Sequence, residues 1–483
     1  MTQEEELQAL REENAVLKAQ VAELLPLKEQ VEQLQEQVKQ LRSRLAKDSH
    51  NSHLPPSSDR FGRKKKTRSL RKRSGKKPGG QAEHPGETIQ WCSHPDEIIR
   101  HAVAACCYCQ AELSLVEPQM VEARQIIELP SKRHVVIEHQ AEQKWCPQCG
   151  EVSTAAFPEQ VRARVQYGSS VAAAASLLVV QHLLPLGRTA EVLWDLLGIS
   201  IAEATITTQL QRAATVLEPV EQQIKAALIQ AEVLHQDESS VRVAGQRWWT
   251  HVSATQGLTH YAVHPKRGKA ALDAIGILPQ FRGRSLHDGF RSYWLYECLH
   301  ALCNVHHLRE LLCVYEEQQQ EWAHQMSELL LSMKEACDQA RAQGRQALDP
   351  VEIADWRAGY ETVLQTGYQA NPPDPPPEVP KKGRRKQSAA RNLLDRLSVH
   401  QEAVLAFLQD LRVPFDHSQA ERDLRMLKVQ QKVSGCFRTP GGAQIFCRLR
   451  SYLSSLHKQG LNLFTALQHT FLGHPLLPVL QGP

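Results

Sequence analysis

Three carboxylate residues are the strongest candidates for chemistry in this 483-residue chain. Asp237 comes shortly after the apolar pair VL, where the pattern changes from helix to strand. Asp288 directly follows the run RSLH in the segment GRSLHDGF. Glu421 lies in an amphipathic segment in which Leu424 and Leu427 are spaced to face a core. A strand end or a packed helix can hold a carboxylate rigidly, so these acids could share one site.

A set of three acids suits the binding of two divalent metal ions. Two-metal phosphoryl transfer uses hard oxygen ligands and two ions about 3.5 to 4 Å apart, one activating water or a 3′-hydroxyl and one stabilising the leaving oxygen. Taken alone, Asp288 could equally cap a turn, because His-Asp-Gly is a turn-like sequence. Its two partner acids favour a metal-bridging role. We predict that Asp237, Asp288 and Glu421 are catalytic and bind Mg²⁺ or Mn²⁺.

The elements that would position these acids are strands followed by helices. The segment VRVAGQRWWTHVSAT predicts two strands joined by a glycine turn, LTHYAVHPKRG predicts a third, and RSLHDGF predicts a fourth. A helical stretch is predicted from YWLYECLHALCNVHHLREL through EWAHQMSELLLSMKEACDQA. This order describes an RNase-H-like α/β fold, in which Asp237 and Asp288 meet if the first and fourth strands are adjacent.

Two CxxC pairs, within CCYC and CPQC, predict a structural zinc site. Each pair can present two thiolates from one tight knuckle, and two knuckles complete a tetrahedral Zn²⁺ site of the zinc-ribbon kind. The intervening runs RQIIEL and RHVVIEH alternate well enough to be strands of the ribbon. Redox-active or buried thiols are the alternative, and four nearby side chains could replace a ligand: Cys92, His94, His101 and Cys107. The predicted ligands are Cys106, Cys109, Cys146 and Cys149.

The first 47 residues repeat apolar side chains with the seven-residue period of a coiled coil. Asn14 is a polar seam position that could fix the register, and Pro26 lies inside a stammer, where the helix should kink. One helix cannot bury this seam alone, so we expect a homo-oligomer through this segment. A single back-folded helix pair is the alternative. The seam consists of Leu7, Leu10, Leu17, Val21, Leu24, Leu27, Val31, Leu34, Val38, Leu41 and Leu45.

Positive charge is concentrated in one segment, although the net charge of the chain is only +4. Residues 60–77, RFGRKKKTRSLRKRSGKK, contain no acidic side chain, and such a run suits a polyanion such as DNA or RNA. A solvated linker or targeting segment is the alternative. The candidate DNA contacts are Arg63, Lys64, Lys65, Lys66, Arg71, Lys72 and Arg73.

Two further segments have a predominantly helical pattern. In TAEVLWDLLGISIAEATITTQLQRA, a helix near Thr189, a Gly-Ile-Ser turn and a second helix from about Ala202 resemble a helix-turn-helix, although any helical hairpin with a glycine turn has this pattern. A later helical segment is split by NPPDPPPEVPKKGRRKQSAAR, whose basic half could contact phosphates or remain a solvated loop. The acidic N-terminus and the short longest apolar run, VAAAASLLVV, predict a cytoplasmic, nucleoid-associated protein with no membrane segment.

The chain resembles the DDE transposases of the bacterial insertion sequence 66 family almost from end to end. The resemblance rests on HNSHLPPSSD, the CxxC pairs, QDESSVRVAGQRWWTHV, HDGFRSY, ALCNVHHLREL and QAERDLRMLKVQQKVSGCFRT, of which the last three are the most specific. It implies an RNase-H-like core with a helical insertion, a zinc-binding N-terminal module and Mg²⁺-dependent cleavage and transfer of DNA strands. It also implies that Asp237, Asp288 and Glu421 are the catalytic acids.

The same resemblance implies roles for residues beside these acids. Cys303 and His306 form the CxxH that follows the second Asp in this family, with His306 and His307 either contacting metal or phosphate or packing in the core. Before the Glu, the family shows an Asp and two asparagines. Here Asp416 keeps the first place, and His417 and Ser418 replace the asparagines, which could disturb the approach to Glu421.

We therefore predict a multidomain α/β transposase that acts on element ends and target DNA, with possible accessory proteins of the same element. The alternative functions are an inactive DNA-binding regulator derived from a transposase and an RNase-H-like nuclease. The predicted domains are a coiled coil (1–47), a basic, largely disordered linker (48–90), a zinc ribbon (91–160), a helical, helix-turn-helix-like module (161–230), the first part of the catalytic core (231–313), a helical insertion with a Pro-rich and basic linker (314–413) and the C-terminal part of the core (414–483).

Overall fold

The computed structural model of the chain describes residues 91–127, 133–149, 151–373 and 387–480, together with 13–18 and the single positions 20, 30, 31, 34, 35 and 38. The described positions before residue 40 are helical. Most of the predicted coiled coil, all of the basic segment 60–77 with its candidate DNA contacts, and residues 374–386 of the Pro-rich and basic linker lie outside these residues. None of the helices in the described part of the chain is both long and apolar enough to span a bilayer.

Within the described residues, seven strands form two sheets. A small hairpin pairs β1 with β2, and a five-stranded mixed sheet has the order β5-β4-β3-β6-β7. The predicted mixed α/β architecture is thereby confirmed. The strands are β1 (Gln143–Trp145), β2 (Val152–Thr154), β3 (Val233–Val243), β4 (Gln246–Ala254), β5 (Thr259–His264), β6 (Arg284–His287) and β7 (Leu299–Leu302).

The central strand β3 joins two kinds of pairing. It pairs antiparallel with β4, which pairs antiparallel with β5, and it pairs parallel with β6, which pairs parallel with β7. The predicted glycine turn between β3 and β4 is Ala244–Gly245, and φ values of 48° and 76° suit the tight turn of a hairpin. The four predicted strands are therefore confirmed.

Strand β7 corrects the prediction of a continuous helical stretch after residue 290. A short 3₁₀ turn, Tyr293–Leu295, comes first, then β7, and the helix begins only at Asn304. The sequence LHAL is too short to have a helical or alternating period of its own. Hydrogen bonds with β6 therefore decide its conformation.

The helices surround the five-stranded sheet. They are α1 (Ser169–Val180), α2 (Leu186–Leu197), α3 (Glu203–Val216), α4 (Glu218–Ile229), α5 (Lys269–Ile275), α6 (Asn304–Gln318), α7 (Glu321–Ala342), α8 (Pro350–Ala370), α9 (Ala389–Val399), α10 (Gln401–Val404), α11 (Ala406–Gln409), α12 (Ser418–Ser434), α13 (Pro440–Lys458) and α14 (Leu463–Phe471).

Helices α12 and α13 pack on the antiparallel half of the sheet. Leu424 and Leu427 of α12 are buried in one core with Tyr261 of β5, as the predicted amphipathic pattern requires. Helix α13 also covers the edge strand β5, because Ser451 Oγ accepts the backbone N–H of Tyr261 at 2.8 Å and Ser455 Oγ accepts that of Thr259 at 3.0 Å. These bonds satisfy N–H groups that an open sheet edge would leave for another chain.

Helices α7 to α11 form a second core beside the parallel half of the sheet. Trp322, Tyr360 and Leu394 are buried there together with Leu286 of β6 and Ala301 of β7. This helical segment is inserted between α6 and α12. It therefore supports the strand β6 that leads to Asp288.

The N-terminal described segment contains one correct and one wrong prediction. Helices α2 and α3 are joined at Gly198, whose φ of 64° ends α2 in the left-handed conformation, as the predicted Gly-Ile-Ser turn requires. By contrast, residues 124–127 and 133–139, the described parts of RQIIEL and RHVVIEH, belong to no strand. The strands near the cysteines are β1 and β2 instead. They pair with each other in an antiparallel hairpin that has CPQC between its strands.

Candidate active site

Asp237 and Asp288 lie level with each other on two adjacent parallel strands. The β3–β6 register pairs Val233 with Arg284 and His235 with Leu286. Two residues further along each strand, Asp237 comes level with Asp288, which directly follows β6. The first and fourth predicted strands, β3 and β6, are therefore adjacent, as the prediction that Asp237 and Asp288 meet requires.

The Asp237 carboxyl is in an environment that disfavours its charge. Its side chain is 18 % exposed, and Oδ1 accepts the backbone N–H of Glu238 at 2.8 Å. Burial raises the pKa of Asp237 to about 7, with His417 opposing this rise and the carboxylates of Glu238 and Asp288 adding to it. The site thus concentrates negative charge, which a cation would relieve.

The Asp288 carboxyl also has the alternative role that its sequence suggested. Its Oδ1 accepts the backbone N–H of Phe290 at 2.8 Å, so it closes the turn after β6. This bond orients the carboxylate at the strand end. Asp288 can therefore cap the turn after β6 and still lie beside Asp237.

Two histidines, the buried His287 and the partly buried His300, support the same turn. The backbone N–H of Gly289 donates to His287 Nδ1 at 3.0 Å, so His287 carries its proton on Nε2, which lies 3.1 Å from His300 Nδ1. His300 Nε2 in turn lies 3.3 Å from the backbone oxygen of Tyr296. This chain of bonds fixes the residue before Asp288.

Glu421 lies in the first turn of α12, where a carboxylate interacts favourably with the helix dipole. His306 Nε2 lies 3.3 Å from Glu421 Oε1, and this hydrogen bond lowers the pKa of Glu421 to about 2 although burial opposes it. Burial alone disfavours a charged His306, but hydrogen bonds with Cys303 and Glu421 outweigh it and raise the pKa of His306 to about 9. Glu421 is consequently held as an anion.

His417 connects the two parts of the site. Its side chain is 1 % exposed, its Nε2 lies 3.8 Å from Asp237 Oδ2, and its ring lies 5.0 Å from that of His306. It also lowers the pKa of Glu421 through its charge. From the sequence, His417 was only a departure from a family pattern, and its position beside Asp237 depends on the fold.

Backbone hydrogen bonds bring Cys303 and His417 together. The N–H of Cys303 donates to the oxygen of His287 at 3.0 Å, and the N–H of Asn304 donates to the oxygen of Phe415 at 3.1 Å. The start of α6 is thereby attached to both β6 and the segment before α12. One ligand atom from each of Cys303, His306 and His417 lies within 4.8 Å of the others.

Two other predicted or ambiguous residues have structural contacts. Asp416 Oδ1 accepts the backbone N–H of Ser418 at 2.8 Å, which satisfies the first N–H of α12. His307 is buried, with Nδ1 3.1 Å from Asn304 Oδ1, so it corresponds to the core-packing alternative. His306, by contrast, contacts a candidate catalytic acid.

A further acid next to Asp237, the buried Glu238, was not among the predicted site residues. Glu238 accepts a hydrogen bond from the Tyr293 hydroxyl and pairs with Arg267 at 2.7 Å. The Arg267 guanidinium also lies 4.8 Å from the Trp249 ring centroid and 4.1 Å from that of Phe290. The adjacent acids in QDESS were the available signal, but the partners of Glu238 come from distant segments.

The cysteine pairs form two separate knuckles. Cys106 and Cys109 are hydrogen-bonded to each other, as are Cys146 and Cys149, and backbone N–H groups of each knuckle lower the pKa of the first thiol. Within the described ranges, three or more of these four sulfur atoms do not come within 4.8 Å of one another. The structure thus forms each half of the predicted zinc site without joining the halves.

These features define a mixed α/β protein with acidic side chains gathered on adjacent parallel strands at the centre of its sheet. The chain belongs to the Transposase IS66 family, whose model matches residues 164–445, more than half of the chain. It is accordingly a transposase, and DNA is its partner. A family of unknown function (DUF6444) matches residues 3–90. Among curated proteins, none matches the chain.

Proposed function

We propose that this transposase cleaves DNA at the ends of its own mobile element and joins the cut 3′ ends to target DNA. The observation that carries the proposal is the register that brings Asp237 level with Asp288. Glu421 pairs with His306, whose ring lies 5.0 Å from that of His417 beside Asp237. Under this proposal the three acids are the catalytic residues of a DDE transposase.

The sheet supports an RNase-H-like core for this activity. Three antiparallel strands continue into two parallel strands, and the first acid lies on the central strand. The second acid follows the neighbouring parallel strand, and the third lies on a helix packed against the antiparallel half. This is the arrangement that the family resemblance implies.

The donor types fit hard divalent cations, although the carboxylate oxygens of Asp237, Asp288 and Glu421 do not all lie within 4.8 Å of one another. Carboxylate oxygens are the ligands that Mg²⁺ and Mn²⁺ prefer, and the raised pKa of Asp237 reflects burial beside other carboxylates. We therefore assign Asp237, Asp288 and Glu421 as the metal ligands. When bound, the ions would activate the attacking hydroxyl and stabilise the leaving oxygen.

The protein groups around the acids have complementary roles. Asp237 must lose its proton to act as a ligand, and the nearby His417 favours its charged form. Glu421 is held ionised by His306, so its carboxylate needs no proton release at neutral pH. The bond from the Phe290 N–H holds the Asp288 carboxylate at the strand end.

We assign DNA binding to segments outside the acidic site. The basic segment 60–77 would contact phosphates without reading sequence, and the hairpin of α2 and α3 would be a helix-turn-helix-like contact with the element ends. The heptads before residue 47 would join copies of the chain. The two CxxC knuckles, which lie apart in the structure, would have to approach each other to bind one Zn²⁺ between them. Accessory proteins of the same element belong to this proposal as further partners.

The test is a cleavage and joining assay with purified full-length protein, labelled DNA carrying the element ends, plasmid target and Mg²⁺. Asp237→Asn, Asp288→Asn and Glu421→Gln should each lower cleavage by at least about a thousandfold, and double variants should be little worse, because ligands of one site act as a unit. DNA binding should remain. Asp338→Asn, an exposed acid of the insertion, is the matched control and should keep its activity.

The same assay separates the competing functions. Cleavage without joining would identify a nuclease, and DNA binding without cleavage in the unmodified protein would identify a regulator. Full activity in any of the three acid variants would refute the assignment of that acid.

A further inference from the structure

A second group of ligand side chains lies beside the three acids. Cys303, His306 and His417 place a thiol and two imidazoles within 4.8 Å of one another, and all three residues are at most 9 % exposed. It is the one group of three or more potential metal ligands at this spacing within the described ranges. Cys303 precedes α6, His306 lies in its first turn, and His417 precedes α12.

The ligand types differ from those of the acidic site. Thiolate and imidazole are soft or borderline ligands that favour Zn²⁺ and similar transition metals over Mg²⁺. A tetrahedral zinc ion with bonds of about 2.0 to 2.3 Å holds its donor atoms roughly 3.5 Å apart. Donor atoms within 4.8 Å therefore need to approach by at most about 1.3 Å to bind an ion.

The second nitrogen of each imidazole faces a carboxylate. His417 Nε2 lies 3.8 Å from Asp237 Oδ2, and His306 Nε2 lies 3.3 Å from Glu421 Oε1. The buried Nδ1 of His417 makes no hydrogen bond within the described part of the chain. Metal-binding histidines commonly use one ring nitrogen for the ion and give the other to a carboxylate, so this orientation suits ligation through the nitrogen that faces away from the acid.

We propose that Cys303, His306 and His417 bind one zinc-like transition-metal ion, with Asp237 and Glu421 as the carboxylate partners of the two imidazoles. His417 is the ligand that distinguishes this chain, since it stands where the family resemblance gives asparagine. Binding releases the protons of the thiol and of any charged imidazole. This metal site is separate from the proposed cleavage activity, and its binding of an ion does not depend on that activity.

The test is metal binding by the full-length protein, with Co²⁺ and Zn²⁺ as the probes. Wild type, Cys303→Ser and His417→Asn are loaded, dialysed and analysed for bound metal per chain and for the thiolate-to-cobalt absorption band. His417→Asn and Cys303→Ser should each bind about one ion fewer than wild type, or bind it at least about tenfold more weakly. Cys313→Ser on the same helix and His307→Asn beside His306 are the matched controls and should bind as many ions as wild type.

Two further measurements keep the result decisive. Circular dichroism of the metal-free proteins should show the same fold in wild type and His417→Asn, because asparagine is the residue that the family resemblance gives at this position. The cobalt band that depends on Cys303 should persist in excess Mg²⁺, which does not compete for thiolate. Equal ion counts and identical cobalt spectra for wild type and folded His417→Asn would overturn the proposal, as would loss of the Cys303-dependent band on addition of Mg²⁺.

Discussion

The imidazole of His417 lies against the carboxylate of Asp237, with 3.8 Å between Nε2 and Oδ2. Both groups are shielded from solvent, so His417 acts on the pKa of the Asp237 carboxyl more strongly than a surface partner would. His417 thus places a titratable group directly beside a candidate catalytic acid.

Divalent-metal binding should weaken as the pH falls below about 7, the pKa to which burial raises Asp237. The ion must displace the proton of a protonated carboxyl, so affinity should fall by up to about tenfold for each pH unit below that pKa. Mg²⁺ titrations of the DNA-free protein at several pH values measure this dependence. In His417→Asn the midpoint should move to higher pH, because His417 lowers the pKa of Asp237. A midpoint that does not move would contradict the coupling of these residues.

Asp416→Asn should retain cleavage activity within about threefold, whereas Glu421→Gln should lose it. The Asp416 carboxylate accepts the N–H of Ser418, and an asparagine oxygen can accept the same bond at the start of a helix. Cleavage rates at saturating Mg²⁺ provide the comparison. If Asp416→Asn were inactive and Glu421→Gln active, the third acid would be Asp416.

Gly283→Ala should destabilise the fold and lower cleavage together. A Cβ at this position would lie 2.5 Å from the backbone oxygen of Ala231 and 2.7 Å from that of Glu232, so β6 would have to move away from β3. Overpacking of this kind costs about 1 to 3 kcal/mol or more of unfolding free energy. Chemical denaturation measures the loss.

The matched control is Gly441→Ala in the first turn of α13, where a Cβ meets no atom within 4 Å. Its unfolding free energy should stay unchanged or rise slightly, since alanine is favoured over glycine in helices by up to about 1 kcal/mol. Equal stability losses in the two variants would show that the contact at Gly283 is not the cause.

Lys458→Met should lower the unfolding free energy by about 3 to 5 kcal/mol, because it leaves the largely buried Asp423 without its cation. Lys458 Nζ lies 2.9 Å from Asp423 Oδ2, and the two side chains are 10 % and 12 % exposed. Lys334→Met removes one partner of the more exposed pair with Asp338 and should cost less than about 1 kcal/mol. The double variant Lys458→Met with Asp423→Leu should recover most of the loss, and failure to recover would mean that the packing of Lys458, and not its charge, matters.

The amino-acid sequence by itself determined the strands that carry the acids and the helix that carries Glu421. Alternation in VRVAGQRWWTHVSAT, the glycine turn and the spacing of Leu424 and Leu427 are local signals, and each is satisfied by residues close in the chain. Strand β7 was not predictable in this way, because four residues pair only through hydrogen bonds with β6. The strands expected in RQIIEL and RHVVIEH were wrong for the converse reason, since alternation alone does not provide a partner strand.

Only the tertiary structure decided which side chains meet. Cys303 and His306 lie more than a hundred residues before His417 in the chain. Backbone hydrogen bonds from Cys303 to His287 and from Asn304 to Phe415 bring the two segments together. Glu238 likewise finds Arg267 and Tyr293 across the sheet. Contacts between distant segments leave no periodic pattern in either segment. The candidate acids were therefore inferred from local signals, whereas the contacts of the imidazoles, thiol and guanidinium around them depend on how the chain folds.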